Sequence, residues 1–374
     1  MDRIQKQFIL QDLQKKLVII VGPRQSGKTW LAKNIAKEYT HSQYLNYDSL
    51  ADRKIIQAQS WLDTTDLLIL DELHKMPDWK NYLKGVFDTK RDNLHILVTG
   101  SARLEVYNQL GDSLAGRYFS HRLLPFSLAE LAQIGEQAGE INKLLEQSGF
   151  PEPFLAEDLI TANRWRAQYI NSILTTDVFE FDKVQNINAM RTIFDLLRRK
   201  VGSPVSYKSM AEDVNVSSTT VKKYIDILES LFVIFKVPPH SNNIARSLLK
   251  ESKIYFFDSG LINNNPGTQF ENLVAVSLLK HVYAKFDYEA MEYKLNYLRT
   301  KEGKEVDFAL VKDGVIEQLI EVKQTNHDIS KTLEYFCNKY NHPGVQLVKN
   351  LGSEYTKDKI RVLKAENYLT ELFI

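Results

Sequence analysis

Leu17-Val18-Ile19-Ile20-Val21 runs directly into Gly22-Pro23-Arg24-Gln25-Ser26-Gly27-Lys28-Thr29. This junction constrains the chain more than any other stretch. A leucine followed by four β-branched residues reads as a strand buried on both faces. Trp30 to Tyr39 then alternates apolar and polar residues at helical spacing, with Leu31 and Ile35 on one face. The eight residues between them satisfy G-x-x-x-x-G-K-[ST]. A strand, a glycine loop and a helix N-terminus in that order set backbone N–H groups against phosphate. Gly22 and Gly27 allow the tight backbone, and Pro23, Arg24, Gln25 and Ser26 carry the loop around the phosphates. Lys28 reaches the β- and γ-phosphates, and the Thr29 hydroxyl ligates Mg2+.

Leu67-Leu68-Ile69-Leu70-Asp71-Glu72 is the second element of the same chemistry. A short buried strand delivers two carboxylates to its C-terminal edge, where ligands sit in open α/β sheets. The spacing assigns Asp71 to Mg2+, through water, and Glu72 to the attacking water as general base. A further strand, His95 to Val98, ends in Thr99-Gly100-Ser101. Thr99 or Ser101 can contact the γ-phosphate or the attacking water, and the sequence does not choose between them. Arg117, in Leu114-Ala115-Gly116-Arg117-Tyr118, can stabilise phosphate charge in cis, or in trans within a homo-oligomer, or can be a solvated surface arginine.

The wording Gly-Pro-Arg-Gln-x-Gly-Lys-Thr resembles that of a family of prokaryotic AAA-type ATPases. So do Leu-Asp-Glu, the Thr-Gly-Ser strand end, and Leu-Ala-Gly-Arg followed by Leu-Pro-Phe-Ser-Leu-Ala-Glu-Leu at 124–131. In that family the ATPase is fused to an uncharacterised C-terminal domain with a restriction-endonuclease-like core. The resemblance covers nearly the whole chain. It implies ATP, not GTP, as the nucleotide, with Mg2+.

At 374 residues the chain has room for two or three domains. Lys and Arg total 48 against 47 Asp and Glu, so any basic patch for nucleic acid must be local. One cysteine, Cys337, excludes an internal disulfide, and the eight histidines do not cluster with it as a zinc site requires. The longest apolar runs are too short to span a bilayer, and the N-terminus lacks a signal-peptide core. These features predict a cytoplasmic chain without a membrane partner. Expected segments are an ATPase domain at 1–135, a helical linker region at 136–189, a winged-helix-like domain at 190–262 and a nuclease-like domain at 263–374. The cluster Gly149-Phe150-Pro151-Glu152-Pro153 reads as a linker.

Pro204 to Val237 has the lengths of a helix-turn-helix. Ser206 caps a helix to Asp213, residues 214–216 turn, and Ser217 caps a second helix. Val221, Tyr224, Ile225, Leu228 and Phe232 form the stripe of that second helix. Leu231 to Val237 then reads as a wing strand stopped by Pro238-Pro239. Ser218, Thr219, Lys222 and Lys223 face outward, where they can meet DNA phosphates or base edges, or a packed domain.

Glu305 to Leu310 alternates as a half-buried strand does, and Asp313-Gly314 signals a hairpin. The returning strand ends Ile320-Glu321-Val322-Lys323, with Glu321 and Lys323 on one face. Asp307 and Glu321 suit Mg2+, and Lys323 can orient or deprotonate water or stabilise phosphate charge. The pattern resembles the Asp…Glu-x-Lys signature of PD-(D/E)XK nucleases, with Val306 in place of the leading Pro. The resemblance adds Glu271, on a preceding helix, to the metal shell. The expected architecture is therefore a doubly wound α/β P-loop NTPase sheet, a winged-helix region and a small restriction-endonuclease-like α/β domain. Two functions fit it. One is an ATPase gating a Mg2+-dependent nuclease on DNA, and the other is an ATPase switch whose C-terminal domain binds partners without cleavage.

Overall fold

The structure is a computed structural model; it describes residues 2–100, 114–135, 140–181, 184, 186–240, 251–262, 265–300, 302–325 and 328–374. Two compact units divide the chain: Met1–Leu124 with Ser230–Phe232, and Pro125–Glu229 with Val233–Ile374.

The first unit is built on strands β1 (Leu17–Val21), β2 (Ser42–Asn46), β3 (Leu67–Asp71), β4 (His95–Gly100) and β5 (Tyr118–Arg122). They form one parallel sheet in the order β2-β3-β4-β1-β5. Helices α1 (Gln5–Leu13), α2 (Lys28–Ala36), α3 (Leu50–Ala58) and α4 (Trp79–Thr89) connect and cover it. The period of two in a strand sorts neighbouring residues to opposite faces. Leu17, Ile19 and Val21 join Leu68, Leu70, Ile96 and Val98 in a core with Ile56, Leu83 and Val86. Val18 and Ile20 join Ile69 and Leu97 in a second core with Ile9, Leu13, Leu31 and Ile35. An LVIIV strand can serve both faces only when helices cover both. The edge strand β2 (SQYLN) is correspondingly half-exposed.

The second unit starts with α5 (Leu128–Gln133), α6 (Glu140–Gln147), α7 (Pro151–Phe154), α8 (Leu159–Ser172) and α9 (Val178–Phe181). A π-helical turn, Ile173–Asp177, joins the last two. The Gly/Pro cluster that reads as a linker is instead core. Pro151 opens α7, and the buried Phe150 ring lies 5.4 Å from Trp165 and 5.2 Å from Tyr169. Gly149 is needed there, because a Cβ would fall 2.6 Å from the Phe126 carbonyl. The start of this unit at Pro125 also precedes the break expected near residue 135. The physical reason is Glu130 on α5, which is fully buried and ion-paired to the buried Lys280.

Helices α10 (Ile187–Arg199), α11 (Tyr207–Val214) and α12 (Ser218–Ser230) follow, then the antiparallel pair β6 (Ile234–Val237) and β7 (Lys253–Phe256). Ser206 caps α11 through the Ser209 N–H, and Ser217 caps α12 through the Thr220 N–H. Val221, Tyr224, Ile225 and Leu228 are buried. The strand begins three residues later than the sequence suggests, because the Val233 N–H closes the helix onto the Leu228 carbonyl.

The remainder is α13 (Pro266–Glu289), a meander of β8 (Tyr293–Arg299), β9 (Glu305–Lys312) and β10 (Val315–Lys323), then α14 (Lys331–Tyr340) and β11 (Gly344–Val348). β12 (Tyr355–Lys357), β13 (Ile360–Lys364) and α15 (Ala365–Thr370) complete it. The sheet order is β12-β13-β11-β10-β9-β8, with β10 and β11 parallel across the α14 crossover. Asp313 (φ 48°) and Gly314 (φ 82°) form a two-residue hairpin with both φ values positive, as the Asp-Gly pair predicts. Among the described residues no helix is long and apolar enough to cross a membrane.

Candidate functional site

The C-terminal edge of the parallel sheet gathers most of the expected ATPase residues. β1 ends at Val21, the glycine loop follows, and α2 opens at Lys28. At Gly22 (φ 154°) a Cβ would fall 2.2 Å from the Leu123 carbonyl oxygen, so only glycine permits this approach. Gly27 (φ 94°) lies in the left-handed region as it leads into the helix. Lys28 Nζ donates to the Gly22 carbonyl at 3.0 Å and the Pro23 carbonyl at 2.6 Å. Burial pulls its ammonium down to about 8, against opposing pulls from Glu72 and Asp71.

β4 lies between β1 and β3, with Thr99 level with Ile20 and Val98 level with Leu70. Thr99 therefore reaches Asp71 from the side and donates its hydroxyl to Oδ1. Thr29 Oγ1 donates to Asp71 Oδ2 at 2.8 Å, and Tyr44 on β2 donates to the same oxygen. Asp71 is only 2% exposed. Ser101 lies outside the described residues.

Glu72 takes a left-handed conformation (φ 55°) that ends β3 and turns its side chain out of strand register. Burial raises its carboxyl above the usual range, with Lys28 and Lys75 opposing. His74 Nε2 approaches Glu72 Oε2 at 3.6 Å, but burial holds His74 at about 4, so the imidazole is neutral near pH 7.

The donor set fits a Mg2+-nucleotide. A threonine hydroxyl and a carboxylate are hard oxygen ligands 2.8 Å apart. The Ser26 hydroxyl, inside the loop, is fully buried and finds no hydrogen-bond partner among the described residues.

Arg117 is not brought to this edge. It precedes β5 at the opposite end of the sheet, where its carbonyl accepts from the Leu17 N–H and its guanidinium pairs with Asp88 at 2.7 Å. A cis role on phosphate is thereby ruled out by position. Two residues here carry no sequence signal. Arg3 is buried and donates to the Ser26 carbonyl at 2.9 Å and the Leu124 carbonyl at 2.6 Å, bracing the loop. Tyr44 reads only as an edge-strand aromatic.

The C-terminal acids are arranged around a residue the sequence reading left out. The pairing of Phe308 with Ile320 sets Asp307 beside Glu321 on neighbouring strands, and Asp307 Oδ2 accepts from the Val322 N–H at 2.8 Å. Glu321 Oε1 accepts from Lys323 Nζ at 2.7 Å and from Ser330 Oγ at 3.1 Å. Glu271, on α13, accepts from the Tyr255 hydroxyl at 2.7 Å. Lys253, 1% exposed, places Nζ 2.8 Å from Glu305, 3.7 Å from Asp307 and 3.7 Å from Glu271. Burial raises Glu271, with Asp307 adding to it, and burial raises Glu321 likewise. Burial disfavours the Lys253 charge, but the three acids outweigh it and the net direction is up.

The metal set expected from the sequence, Glu271, Asp307 and Glu321, is accordingly not gathered as a cage. Among the described residues no three or more His, Cys, Asp or Glu side chains are placed to hold a metal ion. The reason is that an ammonium already stands among the acids. Its signal in the sequence was a lysine opening the apolar run Lys253-Ile254-Tyr255-Phe256, with Tyr255 on the same face.

Comparison with known proteins divides the chain in three. Residues 14–132 match the model of an AAA domain. Residues 139–271 and 266–368 match two domains of unknown function, DUF8612 and DUF4143. An uncharacterized protein of Mycobacterium tuberculosis is 26% identical over 311 residues, covering 80% of this chain and 68% of its own. One of Haemophilus influenzae is 22% identical over 396 residues, covering 94% of each chain. A Walker-type ATPase of Pyrococcus abyssi is a structural neighbour at 13% identity and TM-score 0.43, covering 73% of this chain and 95% of its own.

Proposed function

We propose that the chain is an ATP-hydrolysing switch whose nucleotide state governs what its C-terminal unit binds. The observation that carries this reading is the convergence on Asp71 of Thr29, from the first turn of α2, and Thr99, from the neighbouring strand β4, at the phosphate-loop edge. Backbone N–H groups of Gly22 to Gly27 and the N-terminus of α2 hold the phosphates. Lys28 exchanges its two carbonyl partners for β- and γ-oxygens. Thr29 and Asp71 would hold Mg2+, which would supply charge neutralisation to the phosphates. Glu72, desolvated and facing away from the strand, takes the proton of the attacking water. Thr99 fixes the rotamer of Asp71 and can contact the γ-phosphate or the attacking water.

The order α10-α11-α12-β6-β7 supports a winged helix. Ser218, Thr219, Lys222 and Lys223 are exposed on α12, a face suited to a nucleic-acid or protein partner. The succession helix, three-stranded meander, crossover helix and parallel strand, with Asp307 and Glu321 on adjacent strands, supports a restriction-endonuclease-like core. That topology also favours a second reading, a Mg2+-dependent nuclease acting on DNA. The buried Lys253 among the acids favours binding without cleavage.

The test is purified full-length protein with ATP and Mg2+, read by phosphate release. The same protein is incubated with linear, circular and single-stranded DNA, with Mg2+ or Mn2+, with and without ATP. Phosphate release with every DNA form intact is the expected result. An absence of hydrolysis overturns the ATPase reading, and nicking of any form that is lost in Asp307→Ala replaces the switch with the nuclease.

A further inference from the structure

Glu271, Glu305 and Asp307 come from α13 and β9, while Lys253 comes from β7. Three carboxylates within 3.7 Å of one ammonium make a charge cluster that the fold itself closes. Its walls are tight. The Gly202 backbone (φ 74°) approaches Glu271 so closely that a Cβ would fall 2.8 Å from Oε1. On the other side, Arg299 reaches Glu305 Oε2 at 3.5 Å. The lysine is not a surface side chain that has folded inward. It opens a buried strand, pairs with Val237 on β6 and forms a bridge with Pro204.

Mg2+ requires near-octahedral oxygens at about 2.0–2.1 Å. Lys253 Nζ lies 2.8 Å from Glu305, the spacing of a hydrogen-bonded ion pair, and 3.7 Å from Glu271 and Asp307, the spacing of ion pairs without a hydrogen bond. One acceptor nearby is left over: Glu321 Oε2 is buried and has no partner among the described residues. A carboxylate oxygen in that condition is a ligand open to a metal once the Lys253 charge no longer stands among the acids.

We propose that the Lys253 ammonium is the resident cation of this acidic cluster, so that the Asp307…Glu321-x-Lys323 arrangement is neutralised from within and takes no divalent metal. Removing that one charge converts the cluster into a metal site built from Glu271, Asp307 and Glu321. The inference deepens the non-cleaving reading of the C-terminal unit and is independent of the ATPase reading.

The experiment uses the full chain without nucleotide, carrying Thr29→Ala and Asp71→Asn so that the phosphate-loop edge contributes no metal ligands. Free Mn2+ is followed by electron paramagnetic resonance, and the unfolding midpoint is measured with and without Mn2+. With Lys253 present, the Mn2+ signal and the midpoint should not change. Lys253→Met should melt lower, bind one Mn2+ at least about tenfold more tightly, and recover its midpoint with Mn2+ but not with monovalent salt. Adding Asp307→Asn should abolish that recovery. Uptake of one Mn2+ by the Lys253 protein, lost in Asp307→Asn, overturns the proposal. So does a folded Lys253→Met protein that takes up none. If Lys253→Met does not fold, Lys253→Arg, which keeps the charge, and the Lys253 protein itself decide by whether they bind Mn2+. DNA cleavage is a separate readout, so failure here is distinguishable from failure of the non-cleaving reading.

Discussion

Thr29 Oγ1 donates to Asp71 Oδ2 across 2.8 Å, joining the first turn of α2 to the tip of a strand two places away in the sheet. The hydroxyl and the carboxylate hold each other where a Mg2+-nucleotide needs both. Asp71→Asn keeps the acceptor oxygen and loses the charge. Nucleotide affinity of the native protein should rise with Mg2+, and that of Asp71→Asn should be flat across the same titration. Isothermal titration with a non-hydrolysable analogue measures both, and an unchanged Mg2+ dependence in Asp71→Asn would remove the carboxylate from the metal's reach.

Binding and turnover should separate at Lys28 and Glu72. Lys28→Ala removes the charge facing the β- and γ-phosphates and should abolish binding. Glu72→Gln keeps shape and metal ligands, so it should bind normally while turnover falls by roughly a hundredfold or more. Because burial raises the Glu72 carboxyl, the native rate should fall as pH drops through that raised value, earlier than an ordinary glutamate would dictate. Glu72→Gln should lose that acid limb. Normal turnover in Glu72→Gln would show that another group takes the proton.

Lys28 is held against its own solvation. Its folded value of about 8 lies below the usual 10.5. Between those values the unfolded chain binds the extra proton, so this contribution makes stability rise with pH through that window. Below about 8 the cost is constant. At 1.36 kcal/mol per unit, the cost at neutral pH is on the order of 3 kcal/mol. Lys28→Met, which keeps the volume and drops the charge, should therefore melt higher than the native protein without nucleotide and lose the rise that ATP confers. A lower midpoint for Lys28→Met at pH 7 would show that the two carbonyl contacts outweigh burial.

Arg117 bonds to Asp88 and sits at the far end of β5 from the glycine loop. Arg117→Ala should leave turnover per chain within about twofold at every protein concentration, and loss of its solvent-screened pair with Asp88 should barely move the unfolding midpoint. A specific activity that climbs with concentration in the native protein and stays flat in Arg117→Ala would instead place the guanidinium on a neighbouring copy's nucleotide.

Lys280 and Glu130 form a buried ion pair, and Lys280 also donates to the Pro125 carbonyl at 3.0 Å. Breaking a buried pair strands one charge, at about 3–5 kcal/mol. Lys280→Ala and Glu130→Ala should each show that loss in urea unfolding. Lys280→Met combined with Glu130→Leu should recover much of it. A small single-mutant loss would mean that water reaches the survivor.

The phosphate-loop edge was legible because its information is local. Five consecutive apolar residues, eight loop residues and a second apolar run ending in Asp71-Glu72 each declare themselves within a short window. The hairpin at Asp313-Gly314 was legible for the same reason. What escaped depends on distant partners. Arg3 acts on residues 23 and 121 positions away, and Lys253 meets acids that topology alone brings to it. The Gly149–Pro153 cluster misled because its prolines and glycine break periodicity while its one phenylalanine, Phe150, fills a core. Arg117 misled because adjacency to a motif in sequence says nothing of which end of a strand it occupies.

The position of α5 decides how this chain can be taken apart. Leu128, Ala129 and Leu131 are at most 4% exposed within the second unit. A fragment stopped near residue 135 would carry them away as an uncovered greasy stub, prone to self-association. The complementary fragment would retain Lys280 in a dry interior without its carboxylate 150 residues earlier. Each piece would misbehave for an opposite reason, one through exposed oil and the other through enclosed charge. A cut after Leu124 avoids both.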